Sequence, residues 1–164
     1  MKSPDLLLDI ENLCVEFRVQ KGVAKVINNL NLYVNRNETL GIVGESGCGK
    51  SMTALAIVGM VPAPSGRIAS GSIMYKAEDL ARASNARLRQ IRGKNITMIF
   101  QEPMTSLNPV YTAGEQIAET LRYHQKMHHK EAMKKTVSML QTVSIPSPDR
   151  VARQFPYELS GQCL

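Results

Sequence analysis

The octet Gly44-Glu45-Ser46-Gly47-Cys48-Gly49-Lys50-Ser51 constrains the chain more than any other stretch, because it satisfies G-x-x-x-x-G-K-[S/T] at every specified position. Gly44 and Gly49 let the backbone turn with no side chain in the way, so successive amide N–H groups can converge on phosphate oxygens at a helix N-terminus. Lys50 adds a point charge suited to β- and γ-phosphates. Ser51 offers a hydroxyl to Mg²⁺, an ion that keeps most of its own waters and needs few protein ligands. Context supports this reading over a glycine-rich turn with an incidental Lys-Ser. The continuous apolar run Thr39-Leu40-Gly41-Ile42-Val43 predicts a parallel strand covered on both faces. After the octet, Leu55, Ile57 and Val58 predict a short helix stopped by Pro62 and Pro64. Cys48 sits where a helix N-terminus and Lys50 favour thiolate, but it reads first as a small spacer.

Around this strand, loop and helix the pattern is α/β. Val15, Phe17 and Val19 alternate within residues 5–19, a turn follows at Lys21-Gly22, and Val26 to Val34 forms the second arm of a predicted hairpin. Ile68 to Tyr75 alternates like a strand, Ala83 to Arg92 reads as helix, and Ile96-Thr97-Met98-Ile99-Phe100 predicts a second buried strand. Beyond Pro103 the character is helical. Thr112 and Glu115 have capping-box spacing, Ile117 and Leu121 share a face, and Met133, Val137 and Leu140 recur at helical spacing before Pro146 and Pro148. The division predicted is an α/β core with its β subdomain over 1–102 and a helical subdomain over 103–164.

Hydrophobic residues at 43% and charged residues at 21% exclude a disordered acidic tail or a fibrous chain. Three cysteines, Cys14, Cys48 and Cys163, are too few and too scattered for a disulfide framework or a four-ligand zinc site, which implies a reducing compartment. His124 and His128 have the spacing of a helical metal pair, yet no acid or cysteine completes it, and a solvated cationic face with Lys126, Lys130, Lys134 and Lys135 is the better reading. The net charge of +6 sits mainly in residues 83–164, with 11 basic against 6 acidic residues. Aromatics at 5% with no tryptophan offer few stacking platforms, so nucleic acid is not an expected partner. The run from Met52 to Pro64 is too short to cross a bilayer, and residues 1–11 lack the apolar stretch of a secretory signal, so a cytoplasmic location is expected.

Other stretches identify a class of nucleotide machine. The guanine-selecting N-K-x-D and the switch D-x-x-G are absent from the sequence. In order along the chain, the N-terminal hairpin, residues 38–51, IFQEPMTSLNP at 99–109, GEQIAETL at 114–121 and FPYELSG at 155–161 resemble the ATP-binding subunit of ABC transporters, in particular the dipeptide, oligopeptide and nickel importers. The resemblance implies a P-loop ATPase core with an N-terminal antiparallel hairpin and a helical subdomain, and the cofactors ATP and Mg²⁺. It implies that residues Gly44 to Ser51 bind the nucleotide and that Gln101 contacts Mg²⁺ and the attacking water. Phe17 matches the aromatic that stacks on adenine, although a phenylalanine on an alternating strand is as readily core. Ser160, in Leu159-Ser160-Gly161, matches the signature whose serine grips the γ-phosphate of an opposing subunit; the second glycine of that signature is replaced by Gln162.

The same resemblance implies a second ATP-binding subunit, transmembrane subunits and, indirectly, a periplasmic peptide-binding protein as partners, with the chain peripheral on the inner face of the bacterial plasma membrane. The family's Mg²⁺-binding aspartate, catalytic glutamate and switch histidine follow the signature and match no residue here. A C-terminally truncated form with an incomplete central sheet is therefore expected, binding MgATP without hydrolysing it by itself. Unpartnered sheet edges would leave such a form poorly stable and prone to aggregate. A non-enzymatic fragment or a module docking on membrane subunits is the alternative.

Overall fold

Alternation in the first thirty-five residues produces two long strands, β1 (Leu6–Val19) and β2 (Gly22–Asn35), joined by the predicted tight turn, with Val19 opposite Gly22 and Ile10 opposite Leu32. The computed structural model describes residues 5–101 and 106–159, which fall into two compact units divided between Met98 and Ile99. In the first unit β3 (Gly66–Tyr75) pairs with the other edge of β1, and β4 (Glu78–Asp79) closes a four-stranded antiparallel sheet of order β2-β1-β3-β4. Bulges interrupt the middle of the sheet, where Asn12, Asn29 and Gly71 all adopt left-handed backbone angles. They reset the alternation, so Leu13, Cys14 and Val15 are buried in succession.

Two helices cover the apolar side of this unit. One is α1 (Lys50–Ile57), which buries Thr53 and Ala56; the other is α2 (Asn85–Ile91), which buries Leu88 and Ile91. Together with Ile10, Leu13, Val15 and Ile73 they form the core. Ser84 starts α2 by accepting a hydrogen bond from the Arg87 amide at 3.2 Å.

Two predicted strands are not formed. Residues 39–43 and 97–100 belong to no strand, Leu40, Ile42 and Val43 are 41%, 49% and 93% exposed, and Ile99 is 93% exposed. Ile96 makes a single parallel bridge to Arg92. A parallel strand is held by hydrogen-bonded neighbours and by helices on its faces, and among the described residues neither run has a neighbouring strand.

The second unit is helical, with α3 (Ala113–Gln125), α4 (His129–Thr142) and α5 (Pro148–Arg153). Thr112 caps α3 as predicted, its hydroxyl accepting from the Glu115 amide at 3.3 Å. The Glu115 carboxylate does not reach back to complete a capping box; it binds the Arg122 guanidinium at 3.1 Å and the His129 ring at 2.9 Å. Ala118, Leu121 and Ala132 form one small apolar cluster, and Leu140, Val151 and Ala152 form another with Ile117 and Val137 against it. Pro148 opens α5, where a missing N–H costs nothing. His124 and His128 are separated by a chain reversal at Lys126, whose φ is +56°, so they do not share a helix face.

Candidate functional site

The glycine-rich loop lies between an exposed extended segment and the first turn of α1, and residues 41–48 are all exposed. Its shape is set locally. Gly49, the residue before α1, has φ +94°, and a Cβ there would lie 3.0 Å from the Val26 carbonyl oxygen and 3.6 Å from the Ile27 side chain. Glycine therefore supplies both the left-handed angle and the close seat of the loop on β2. At Gly44 a Cβ would come within 2.7 Å of the Cys48 sulfur, so Cys48 closes over the start of the loop and fills a spacer position. The Cys48 amide donates back to the Glu45 carbonyl at 3.4 Å.

Lys50 folds over this turn. Its ammonium donates to the carbonyls of Gly44 at 2.7 Å and Glu45 at 2.6 Å and lies 3.5 Å from the Cys48 sulfur. The charge is thus held inside the loop by backbone oxygens, close to the helix N-terminus, whose dipole also attracts anions. The first turn of α1 carries no acidic residue to cancel that field. Ser51 is exposed in the same turn. A cation folded into the loop, a helix N-terminus without acidic residues and close-packed glycines at positions 44 and 49 form a donor set that fits a phosphate chain, and an exposed serine hydroxyl beside it suits a hydrated divalent cation.

Thr53 escaped the sequence reading. It is 5% exposed, and both its amide and its hydroxyl donate to the Gly49 carbonyl, at 2.8 and 3.0 Å. That double bond pins the first turn of α1 to the loop. A threonine four residues after the last loop glycine was the available signal, and its burial was not visible in the pattern.

The other predicted site residues are Phe17, Gln101 and Ser160. Phe17 is half-buried on β1 opposite Gly66, where a Cβ would lie 2.7 Å from its ring, and it packs on the core as well as lining a shallow cavity of about 140 Å³ with Arg18, Val23 and Pro64. Gln101 is exposed and belongs to the second unit. Ser160 lies outside the described residues. A larger cavity, of about 510 Å³, lies in the second unit beside Tyr111, Glu115, Tyr123 and Lys126, and none of the predicted site residues lines it.

A family model described as ABC transporter matches residues 27–162. The chain belongs to the ABC transporter family. Among curated relatives it is 43% identical over 157 residues to a probable peptide ABC transporter ATP-binding protein, y4tR, of Sinorhizobium fredii, covering 96% of this chain and 47% of that protein. It is also 43% identical over 155 residues to the dipeptide transport ATP-binding protein DppD of Bacillus subtilis, covering 94% of this chain and 46% of the relative. The chain spans about half the length of the curated relatives it matches. The solved dimeric structure of MJ0796, a bacterial ABC transporter cassette, superposes with a TM-score of 0.77 at 25% identity, covering 94% of this chain and 64% of that one. A second structure of the same cassette, bound to ADP and Pi, gives a TM-score of 0.76 at 24% identity and shares the fold. The α/β cassette with its N-terminal hairpin and helices is therefore the fold of this ABC transporter chain. Among its described residues no helix is long and apolar enough to cross a membrane.

Proposed function

We propose that this chain is the nucleotide-holding part of an ATP-binding subunit in a peptide-type ABC importer, coupling MgATP binding to transport of a substrate through transmembrane subunits. The observation that carries the reading is the Lys50 ammonium drawn into the loop by the Gly44 and Glu45 carbonyls at the start of α1. Residues Gly44 to Lys50 would hold the phosphates, with Ser51 and Gln101 on Mg²⁺, Phe17 against the adenine and Ser160 toward the nucleotide of a second ATP-binding subunit. Bound Mg²⁺ would supply charge neutralisation at the phosphates. The names of the curated relatives, peptide and dipeptide transport ATP-binding proteins, support a peptide as the transported class. In this reading the chain is peripheral on the inner face of the bacterial plasma membrane, docked on transmembrane subunits, with a periplasmic peptide-binding protein as an indirect partner.

None of its residues matches the family's Mg²⁺-binding aspartate, catalytic glutamate and switch histidine, so the chain by itself is expected to bind without turnover. Separate assays test this: equilibrium binding of a fluorescent ATP analogue, and release of labelled orthophosphate. Binding with no release supports the proposal. Release by the homogeneous chain contradicts the account of hydrolysis, and absence of binding favours a module that only docks on membrane subunits.

A further inference from the structure

The far end of α1 is fastened by a side chain that no phosphate-loop pattern includes. The helix terminates in a turn where Gly59 takes a left-handed φ of +65°, the Gly59 amide donates to the Ala56 carbonyl at 3.0 Å and the Met60 amide to the Leu55 carbonyl at 2.7 Å. With the Val58 amide on the Ala54 carbonyl at 3.2 Å, that arrangement engages the carbonyls of Ala54, Leu55 and Ala56, and the next carbonyls to be met by a partner are those of Val58 and Gly59. Arg92 takes both. Its Nε donates to the Val58 oxygen and its Nη2 to the Gly59 oxygen, each at 2.6 Å, in a part-buried setting.

The guanidinium is itself anchored. Arg92 follows α2 directly, and its amide donates to the Leu88 carbonyl at 2.9 Å. A Cβ at Gly59 would meet the Leu88 side chain at 2.6 Å, so the end of α1 packs directly on α2. The planar fork meets the two successive carbonyls with two of its N–H groups in fixed geometry, and its charge lies at the negative end of the helix dipole. The opposite end of the same helix presents Lys50 and Ser51, about 12 Å away along eight residues.

We propose that Arg92 is a positioning residue for the phosphate loop: it fixes α1 along its axis by holding the Val58 and Gly59 carbonyls, and triphosphate affinity depends on that fork. The inference rests on the nucleotide-binding reading above. Rigid helices transmit a shift at one end to the other, and a loop that grips phosphates through backbone amides tolerates little displacement.

The test is the dissociation constant for MgATP in the intact protein, measured at low temperature where circular dichroism shows each variant folded, for the wild type, Arg92→Lys and Arg92→Gln, with Lys50→Ala as the control. Melting temperatures are recorded in parallel. The expected result is a loss of about tenfold in affinity for Arg92→Gln, the scale of one charge-assisted hydrogen bond, with Arg92→Lys in between. A merely structural role would lower the melting temperature and leave the dissociation constant of the folded variants within about twofold of the wild type, which overturns the proposal. If Arg92→Gln does not fold, Arg92→Lys alone decides: unchanged affinity overturns the proposal and a several-fold loss supports it. Wild-type protein that binds no MgATP overturns the nucleotide reading and this inference with it, whereas wild-type binding abolished by Lys50→Ala but indifferent to Arg92 overturns only the inference.

Discussion

Single residues in this chain do work that their types announce to very different degrees. Lys50 stands out in the sequence from its place after Gly49, and in the fold its ammonium donates to two loop carbonyls. Arg92 was not legible, because an arginine after a helix has no local pattern telling it which carbonyls it will meet thirty-three residues back. Gly71 is a third kind: it lies in a stretch that reads as plain alternation, yet it has φ +89°, and a Cβ would lie 2.5 Å from the Asn12 carbonyl oxygen and 2.6 Å from that of Glu11. Both obstacles are backbone, which cannot swing aside. Gly71→Ala is expected to destabilise the first unit by about 2–4 kcal/mol, measured by urea unfolding, since strain and overpacking act together. A change below about 0.5 kcal/mol would show that the bulge can relax.

Elements formed where the sequence pattern found a partner among the described residues. The β1–β2 hairpin, α2 and α3 appear at the predicted places because their partners or caps are close in the chain, as with Ser84 and Thr112, and β3 appears because the free edge of β1 is there to receive it. The runs 39–43 and 96–100 failed to become strands because a buried parallel strand depends on neighbours that local sequence does not contain. One joint between elements makes a pH prediction. Arg87 on α2 grips the Glu78 carboxylate of β4 with Nε at 2.8 Å and Nη2 at 2.8 Å, and these hydrogen bonds hold the Glu78 carboxyl below the usual carboxylate range while raising Arg87. Because the folded-state value is depressed, the stabilisation is present above the unfolded value of about 4.3 and is lost as pH falls through the lower folded value. Wild type and Glu78→Gln should therefore differ in urea midpoint at pH 7, and the gap should narrow as the pH falls below about 4.3. A gap that stays equal as the pH falls would show that the pair's charge is irrelevant.

For the whole molecule, the consequence of unformed strands is exposed apolar surface. Val43 and Ile99 are each 93% exposed within apolar runs of high β propensity. The chain by itself is expected to self-associate, and the double substitution Val43→Lys, Ile99→Lys is expected to reduce light scattering at a given concentration without lowering the melting temperature, since neither side chain is packed. Unchanged scattering would place the sticky surface elsewhere.

The central claim is that the loop from Gly44 to Ser51 is a working triphosphate cradle whose charge comes from Lys50. Isothermal titration of MgATP into the wild-type protein and into Lys50→Ala, with matched circular dichroism spectra, tests it most directly. The account predicts saturable one-site heat for the wild type and a loss of affinity of at least about tenfold for the variant. Equal affinity in the two proteins, or no heat from the wild type, would contradict it.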